Sequence, residues 1–246
     1  MIALDQVQGH WQRHWIKTPD FEDHATQVSW MQTGRHYADL RIPPDRPALD
    51  GRTTLADFSA AEVLALARAE GFAGQITLEG DQCVWHREIN WHGEPQIGDI
   101  GHLVFESPTR LFEAGVLFEY EELWTKARAA DTGRAYRLEG GGFLGVLIII
   151  GTDFALAIDR PRRAPTDPQI NDLKHGKIGP HIPMLFDNLY ATGTWERQSA
   201  IPKAATQPLS EGKPAISPNG NRAFWHHIDF FGQSTDIELA IAPAAP

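Results

Sequence analysis

The chain has 246 residues, enough for one large or two small domains with a substantial buried core. Its 32 acidic and 22 basic residues give a net charge of −10, which argues against nucleic acid or an anionic membrane surface as a partner. The single cysteine, Cys83, excludes an intramolecular disulfide and fits a reducing compartment.

Two signals for membrane targeting are missing from the sequence. Residues 1–5 lack the basic start and the long apolar run of a signal peptide. The apolar run at residues 143–150 is far shorter than the roughly 20 residues of a membrane-spanning helix. We therefore expect a cytoplasmic protein.

The first clear secondary-structure pattern is a β-hairpin. In residues 26–32, alternate side chains such as Trp30 and Gln32 face the same way. A turn at Thr33-Gly34 leads into a second strand at residues 36–42, which ends where prolines begin. One face of this second strand carries Asp39 and Arg41, spaced so that they can pair.

One short helix is predicted over residues 59–70. Ser59 and Glu62 have the spacing of a capping box, and Gly71 stands where a left-handed residue ends many helices. A single short helix among strands is more often a lid or plug than a catalytic element.

The middle of the chain alternates with a period of two residues, which is typical of half-buried strands. The side chains that share a face are Trp85 with Arg87, Ile89 and Trp91, and Phe118 with Tyr120, Glu122 and Trp124. Faces that mix large aromatic rings with arginine and carboxylate are more typical of a ligand cavity than of a dry core, where unpaired charge is costly.

The second half of the chain also has a β pattern. Residues 125–142 are polar and rich in glycine, and we predict a linker or a long hairpin there. The remaining strands are predicted at 143–150, 154–158, 185–197, 222–231 and 236–242, with a loop at 162–183.

Three sequence similarities in the same order along the chain indicate two related β-halves. They pair residues 28–43 with 146–161, 85–87 with 195–197, and 118–124 with 224–230. We therefore predict an internal duplication, with halves at 1–130 and 131–246.

Four short motifs resemble the Hri-type family, which are fungal proteins with bacterial relatives. The motifs are residues 37–41, the cysteine-containing strand 83–91, residues 121–124 and the apolar run 145–151. The resemblance implies an all-β protein with two lipocalin-like (calycin) antiparallel barrels and one short helix. It implies no established enzymatic reaction.

We predict a ligand-binding site inside the first half. Small antiparallel barrels can hold one small ligand, and a few polar groups on an aromatic wall fix its orientation. The predicted residues are Trp30, Gln32, Asp39, Arg41, Trp85, Arg87, Tyr120, Glu122 and Trp124. The alternative is that the charged side chains pair and brace the barrel, or point to solvent.

Eleven histidines raise the question of a metal site. Neighbouring strand residues point to opposite faces, so His226 and His227 cannot both bind one ion. His227 with Asp229 and a histidine of the 162–183 loop is the open alternative, and haem held by one histidine is a weaker one. We predict no metal ligands and no cofactor.

The leading functional hypothesis is binding of a small hydrophobic or aromatic molecule, without nucleic acid or membrane as a partner. One alternative is a cofactor-independent lyase, isomerase or hydratase with Glu122 or a histidine as base, and another is a protein-interaction module with filled barrels. A cavity without central polar groups favours binding, converged titratable groups favour catalysis, and filled barrels favour the module. The sequence carries no signal for the oligomeric state.

Overall fold

The computed structural model describes residues 1–48, 51–95, 97–130, 133–196, 199–205, 209 and 212–245, with the backbone alone for 196 and 199–205. Antiparallel strands form most of this part of the chain, which confirms the all-β prediction. Arg197, the end of one predicted similarity and of one predicted strand, lies outside the described residues.

The first half of the chain forms one curled sheet of nine strands. The strands are β1 (Gly9–Lys17), β2 (Glu22–Asp23), β3 (Gln27–Thr33), β4 (His36–Ile42), β5 (Glu70–Glu79), β6 (Gln82–Asn90), β7 (Asp99–Ser107), β8 (Arg110–Gly115) and β9 (Glu121–Arg128). Strand β1 pairs with β3 on one side and with β9 on the other. The sheet is therefore joined into a barrel through β1, and we call it the first barrel.

The second half forms a closed barrel of eight strands joined in chain order, which we call the second barrel. Its strands are β10 (Arg134–Gly140), β11 (Phe143–Ile150), β12 (Asp153–Asp159), β13 (Leu189–Glu196), β14 (Ser199–Ala205), β15 (Ile216–Asn219), β16 (Arg222–Ile228) and β17 (Ser234–Pro243). The chain passes from one sheet to the other between Arg128 and Arg134.

Residues 125–142, predicted as a linker, contain the end of β9 and all of β10. Leu138 is buried in the interior of the second barrel with Tyr136 packed against the same cluster, while Arg137 and Glu139 alternate to the other face of β10. The sequence did not predict a strand here, because only Tyr136 and Leu138 mark an apolar face in a segment that is otherwise polar or small.

Leaving aside the two-residue β2, the two barrels have the same strand order. The similarity between 28–43 and 146–161 falls on equivalent strands, β3-β4 and β11-β12. The other two similarities fall on strands that are not equivalent. Residues 85–87 lie on the fifth strand of the first barrel, whereas residue 195 lies on the fourth strand of the second barrel. Residues 121–124 and 224–228 are likewise displaced by one strand, on the eighth and the seventh strand. The duplication therefore stays a prediction.

Helices are short. They are α1 (Leu4–Val7), α2 (Ala60–Leu66) and α3 (Asp167–Lys174), with 3-10 turns at Leu55–Asp57 and Pro183–Phe186. Helix α3 lies inside the predicted 162–183 loop and has a proline in its first turn, which is a common signal for the start of a helix. No helix in the described ranges is long and apolar enough to cross a membrane.

The predicted capping box of α2 is present. Glu62 N–H donates to the Ser59 hydroxyl, and the Glu62 carboxylate accepts from Ser59 N–H at 2.8 Å. The helix ends four residues earlier than predicted, because β5 begins at Glu70. Gly71 belongs to β5 and caps no helix; a Cβ there would lie 2.4 Å from the Tyr190 ring.

The two barrels pack side by side through a shared apolar core. Outward-facing side chains of β3 to β5 meet those of β11 to β13, and α2 and α3 contribute to the same cluster. Trp91 lies at its centre, fully buried, with its indole stacked on Tyr190 at a centroid distance of 6.2 Å. Its Nε1 donates to the Leu185 carbonyl, so this ring joins the end of β6 to the second half. The prediction that Ile89 and Trp91 share a face with Trp85 and Arg87 is therefore wrong, because a register shift between β5 and β6, next to Arg87 and Ile89, interrupts the alternation.

Replacing Trp91 with Ala should lower the free energy of unfolding by about 3–5 kcal/mol, because it opens a large cavity and leaves the Leu185 carbonyl without its indole donor. Urea denaturation followed by circular dichroism measures the change. Phe21→Ala is the control, since that ring is 56% exposed and its loss should change stability by less than about 0.5 kcal/mol. Equal effects of the two substitutions would contradict a shared core centred on Trp91.

Candidate ligand-binding site

The first barrel contains a cavity of about 380 Å³. Residues of β1 and of β3 to β9 form its wall. Its mouth is bordered by Ile97, Leu117 and Phe118, whose apolar side chains are about half exposed. The interior of the second barrel is instead occupied by packed apolar side chains, among them Phe143, Phe154 and Trp225.

Eight of the nine predicted residues line this cavity. They are Trp30, Asp39, Arg41, Trp85, Arg87, Tyr120, Glu122 and Trp124. Strand β9 begins at Glu121 and not, as predicted, at Phe118, which therefore lies at the mouth and not in the strand. Tyr120 still faces the cavity from the turn that precedes β9.

Gln32 is the predicted residue that does not line the cavity. It is fully buried at the end of the β3-β4 hairpin, where its carbonyl accepts from the Trp30 indole at 3.3 Å. Its amide donates to the Gly34 carbonyl at 2.8 Å. The alternation places Gln32 on the correct face, but it lies beside the turn, and both of its polar ends are used to hold the hairpin.

Three arginines of the first barrel each pair with a carboxylate of the cavity wall, and Arg13 also pairs with Asp23, at 3.4 Å. The pairs are Arg13 Nη1 with Glu122 Oε1 at 2.6 Å, Arg41 Nε with Asp39 Oδ1 at 2.9 Å, and Arg87 Nη2 with Asp99 Oδ2 at 2.7 Å. The predicted pairing of Asp39 with Arg41 is thus present. Charged side chains both line the cavity and brace its wall, so the two interpretations of the sequence do not exclude each other.

Glu113 is a cavity residue that was not predicted from the sequence. It is 4% exposed and lies on β8, a short strand that is likewise absent from the sequence prediction. Its Oε1 accepts from the Tyr120 hydroxyl at 2.8 Å, and its Oε2 accepts from the Trp124 indole at 3.1 Å. Within the described ranges, no Arg, Lys or His forms an ion pair with it. The alternation of Leu111 with Glu113 is a signal that would have found it.

Glu113 and Glu122 are direct cross-strand neighbours on β8 and β9. Burial raises the pKa of Glu113 well above its ordinary value, and the adjacent Glu122 raises it further. Burial also raises the pKa of Glu122, although Arg41 and Arg13 oppose this change. Because Glu122 has a cation beside it and Glu113 has none, the proton resides more readily on Glu113.

Aromatic rings hold the rest of the wall rigid. Trp30 makes edge-to-face contacts with Trp85 at 5.8 Å and with Trp124 at 5.7 Å. The Arg87 guanidinium lies over the Phe72 ring at 3.5 Å. A planar ligand would therefore enter a site whose rings and charges are already held in place.

The two adjacent histidines that were considered as metal ligands, His226 and His227, bond to protein groups on opposite sides of the strand. His226 bonds to Asp236 at 2.7 Å and to Ser217 at 2.9 Å, whereas His227 faces the other way and pairs with Asp187 at 3.2 Å. In the described part of the chain, no three His, Cys, Asp or Glu side chains are grouped in a way that would hold a metal ion.

Burial raises the pKa of the Cys83 thiol, so this cysteine is a thiol at neutral pH.

Comparison with known proteins supports the fold and gives no activity. No family model and no curated protein matches the sequence. An uncharacterized protein from Saccharomyces cerevisiae has a similar crystal structure, with a TM-score of 0.52 and 11% identity over 96% of this chain and 99% of the yeast chain. A lipocalin-like protein from Bacteroides uniformis aligns with a TM-score of 0.34 and 12% identity, covering 49% of this chain and 98% of its own.

Replacing Glu113 with Gln should stabilise the protein by a margin that grows with pH. A carboxyl whose pKa is higher in the folded chain than in the unfolded chain binds a proton preferentially in the folded state. The free energy of unfolding of the wild type therefore falls as the pH rises from the unfolded-state pKa to the folded-state pKa. The fall is at most about 1.4 kcal/mol per pH unit for one proton. In the protonated acid, the carboxyl O–H can donate to the Tyr120 oxygen in place of accepting from it, while the other carboxyl oxygen still accepts from Trp124. Gln reproduces these two hydrogen bonds, since its amide donates to Tyr120 and its carbonyl accepts from Trp124.

The measurement is urea denaturation of both proteins at intervals from about pH 4 to about pH 8. Glu106→Gln is the matched control, because Glu106 is half exposed and paired with Arg110, and its loss should give a difference that does not grow in this way. A Glu113→Gln variant that is less stable than the wild type throughout would indicate an ionised, structurally required Glu113.

Proposed function

We propose that the first barrel binds one small aromatic molecule inside the cavity. The observation that carries this proposal is an open cavity of about 380 Å³ with aromatic and charged groups in one wall. Its volume lies in the usual range of small-molecule sites, roughly 300–1,000 Å³. The apolar mouth at Ile97, Leu117 and Phe118 offers an entrance for such a ligand.

The polar groups of the wall would orient the ligand without large rearrangement. Asp39, Asp99 and Glu122 hold the three arginines, so their positions are set before a ligand arrives. Pre-formed sites lose less conformational freedom on binding. The rings of Trp30, Trp85 and Trp124 supply the flat surface on which an aromatic group packs.

A cofactor-independent enzyme is the second candidate, because titratable groups do converge in the cavity. The structure changes the candidate residue: Glu122 is held by Arg13, whereas Glu113 and the Tyr120 hydroxyl are 2.8 Å apart, and no cation among the described residues forms an ion pair with Glu113. A protonated Glu113 next to a phenol is suited to acid catalysis. Conversion of a bound compound by the wild type, lost in Glu113→Gln at similar affinity, would favour this candidate.

Three further expectations belong to the same proposal. Membership of the Hri-type family rests on the sequence motifs, and the similar architecture of the yeast protein is compatible with it. A cytoplasmic site of action and the exclusion of nucleic acid and membranes as partners rest on composition and charge. A module with two filled barrels is disfavoured by the cavity in the first one.

Blocking the cavity should abolish binding without unfolding the protein. Gly98 lines the cavity, and a Cβ there would meet only Leu117 at 3.8 Å and Ile100 at 4.0 Å. Gly98→Phe should therefore fit and fill the site. The probe is N-phenyl-1-naphthylamine, an uncharged aromatic whose fluorescence increases in apolar surroundings, and its affinity should fall about tenfold or more in this variant.

Gly179→Phe is the matched control. Gly179 lies outside both barrels, where a Cβ would meet only the Asp172 carboxylate, at 4.0 Å, and this variant should bind the probe like the wild type. Circular dichroism checks that both variants are folded. Equal probe binding by Gly98→Phe and the wild type, or no saturable binding by the wild type, would overturn the proposal.

A further inference from the structure

Carboxyl groups outnumber arginines in the lining of the cavity. Among the described residues, four carboxyl groups but only two arginines, Arg41 and Arg87, line the cavity. Arg41 pairs with Asp39 and Arg87 pairs with Asp99. Arg13, which is not part of the lining, pairs with Glu122. Glu113 is the carboxyl that remains, and it is almost completely buried. A buried carboxyl without a cationic partner is costly when ionised, so it is either protonated or matched by a cation from elsewhere.

The neighbours of Glu113 are suited to a cation. The Tyr120 hydroxyl and the Trp124 indole N–H donate to its carboxyl oxygens, which leaves their ring faces to the cavity, and the ring of Trp30 lies next to Trp124. Aromatic faces attract ammonium groups, most strongly where water is excluded. An excess carboxyl flanked by aromatic rings is therefore the chemistry that recognises an amine.

An anionic ligand fits the site poorly. It would enter beside four carboxyl groups, and the arginines that would attract it already donate to Asp39, Asp99 and Glu122. The net charge of −10 for the whole chain also lowers the local concentration of anions and raises that of cations. A neutral ligand would leave the excess carboxyl unused.

We propose that the ligand of this cavity is a small aryl-alkyl amine, with an aromatic ring on an alkyl chain, bound as a monocation with its ammonium group against Glu113. The inference rests on the proposed function of the first barrel and specifies the class of its ligand. The aromatic part of the amine packs on Trp30, Trp85 and Trp124, and the Tyr120 hydroxyl remains beside the ion pair.

Proton release is a direct consequence. Burial and Glu122 raise the pKa of Glu113 and so favour its protonated form in the free protein, whereas an ammonium group beside it favours the ionised form. Binding then releases one proton, and the apparent affinity rises with pH until the free carboxyl is itself ionised. The ammonium group keeps its charge through this range, since alkyl amines titrate near pH 10.

The test compares three indoles of nearly the same shape by isothermal titration calorimetry. Tryptamine is a cation, tryptophol is neutral and indolepropionate is an anion. Tryptamine should bind about tenfold or more tightly than tryptophol, and indolepropionate most weakly. In two buffers with different ionisation enthalpies, tryptamine binding should release close to one proton per chain.

Two variants assign the effect to Glu113. Glu113→Gln should lose the preference for tryptamine over tryptophol and the proton release on tryptamine binding. Glu106→Gln, which removes a carboxylate outside the cavity, should behave like the wild type. Selectivity kept in Glu113→Gln, or binding of tryptophol or indolepropionate as tight as that of tryptamine, would overturn the amine assignment and leave the cavity site intact.

Failure of the proposed function gives a different result. In that case none of the three indoles shows saturable binding that Gly98→Phe abolishes, and N-phenyl-1-naphthylamine also fails to bind in the cavity. This outcome would overturn both proposals together.

Discussion

Strands β3, β4 and β5 are buried on both faces, and this double burial joins the cavity to the packing of the two barrels. Successive residues point to opposite sides of a strand. On β4, Asp39 and Arg41 face the cavity, while Ala38 and Leu40 face the second barrel. The shared core therefore fixes the strands whose inner faces carry the charged wall, so the site has little freedom to relax.

The same constraint explains why so many charges are tolerated inside the first barrel. A buried ion pair contributes little net stability, because removing two charges from water costs about as much as their attraction returns. The pair of Arg13 with Glu122 is almost fully buried, so its cost must be offset elsewhere. The apolar core between the barrels, with Trp91 at its centre, supplies stabilisation that can offset this cost. The inner wall can therefore carry polar groups that would not by themselves stabilise the fold.

Period-two alternation accounts for what the sequence could predict. It identifies eight of the nine predicted residues as inward-facing members of the cavity wall, because a strand in a closed sheet has only two faces. Alternation gives the face on which a side chain lies but not how far along the strand it is. It therefore assigns Gln32 to the cavity, although this residue lies at the end of a hairpin. Strand β8 escapes prediction because six residues between two turns give a weak signal, and Glu113 escapes with it. The polar strand β10 escapes for the related reason that its outer face is charged.

Comparison of the two inner faces explains why one barrel is open and the other filled. On β11 and β12 the inward residues are aliphatic or aromatic, such as Leu147, Ile149 and Phe154, and such side chains interdigitate at high density. On β4 and β6 the equivalent direction carries arginines and carboxylates, whose polar atoms must keep partners in fixed directions and so cannot close the space between them. The composition of the inner face therefore decides whether a barrel of this size retains a cavity. It also decides what the cavity can bind, because the groups that prevent dense packing are the ones that a ligand meets.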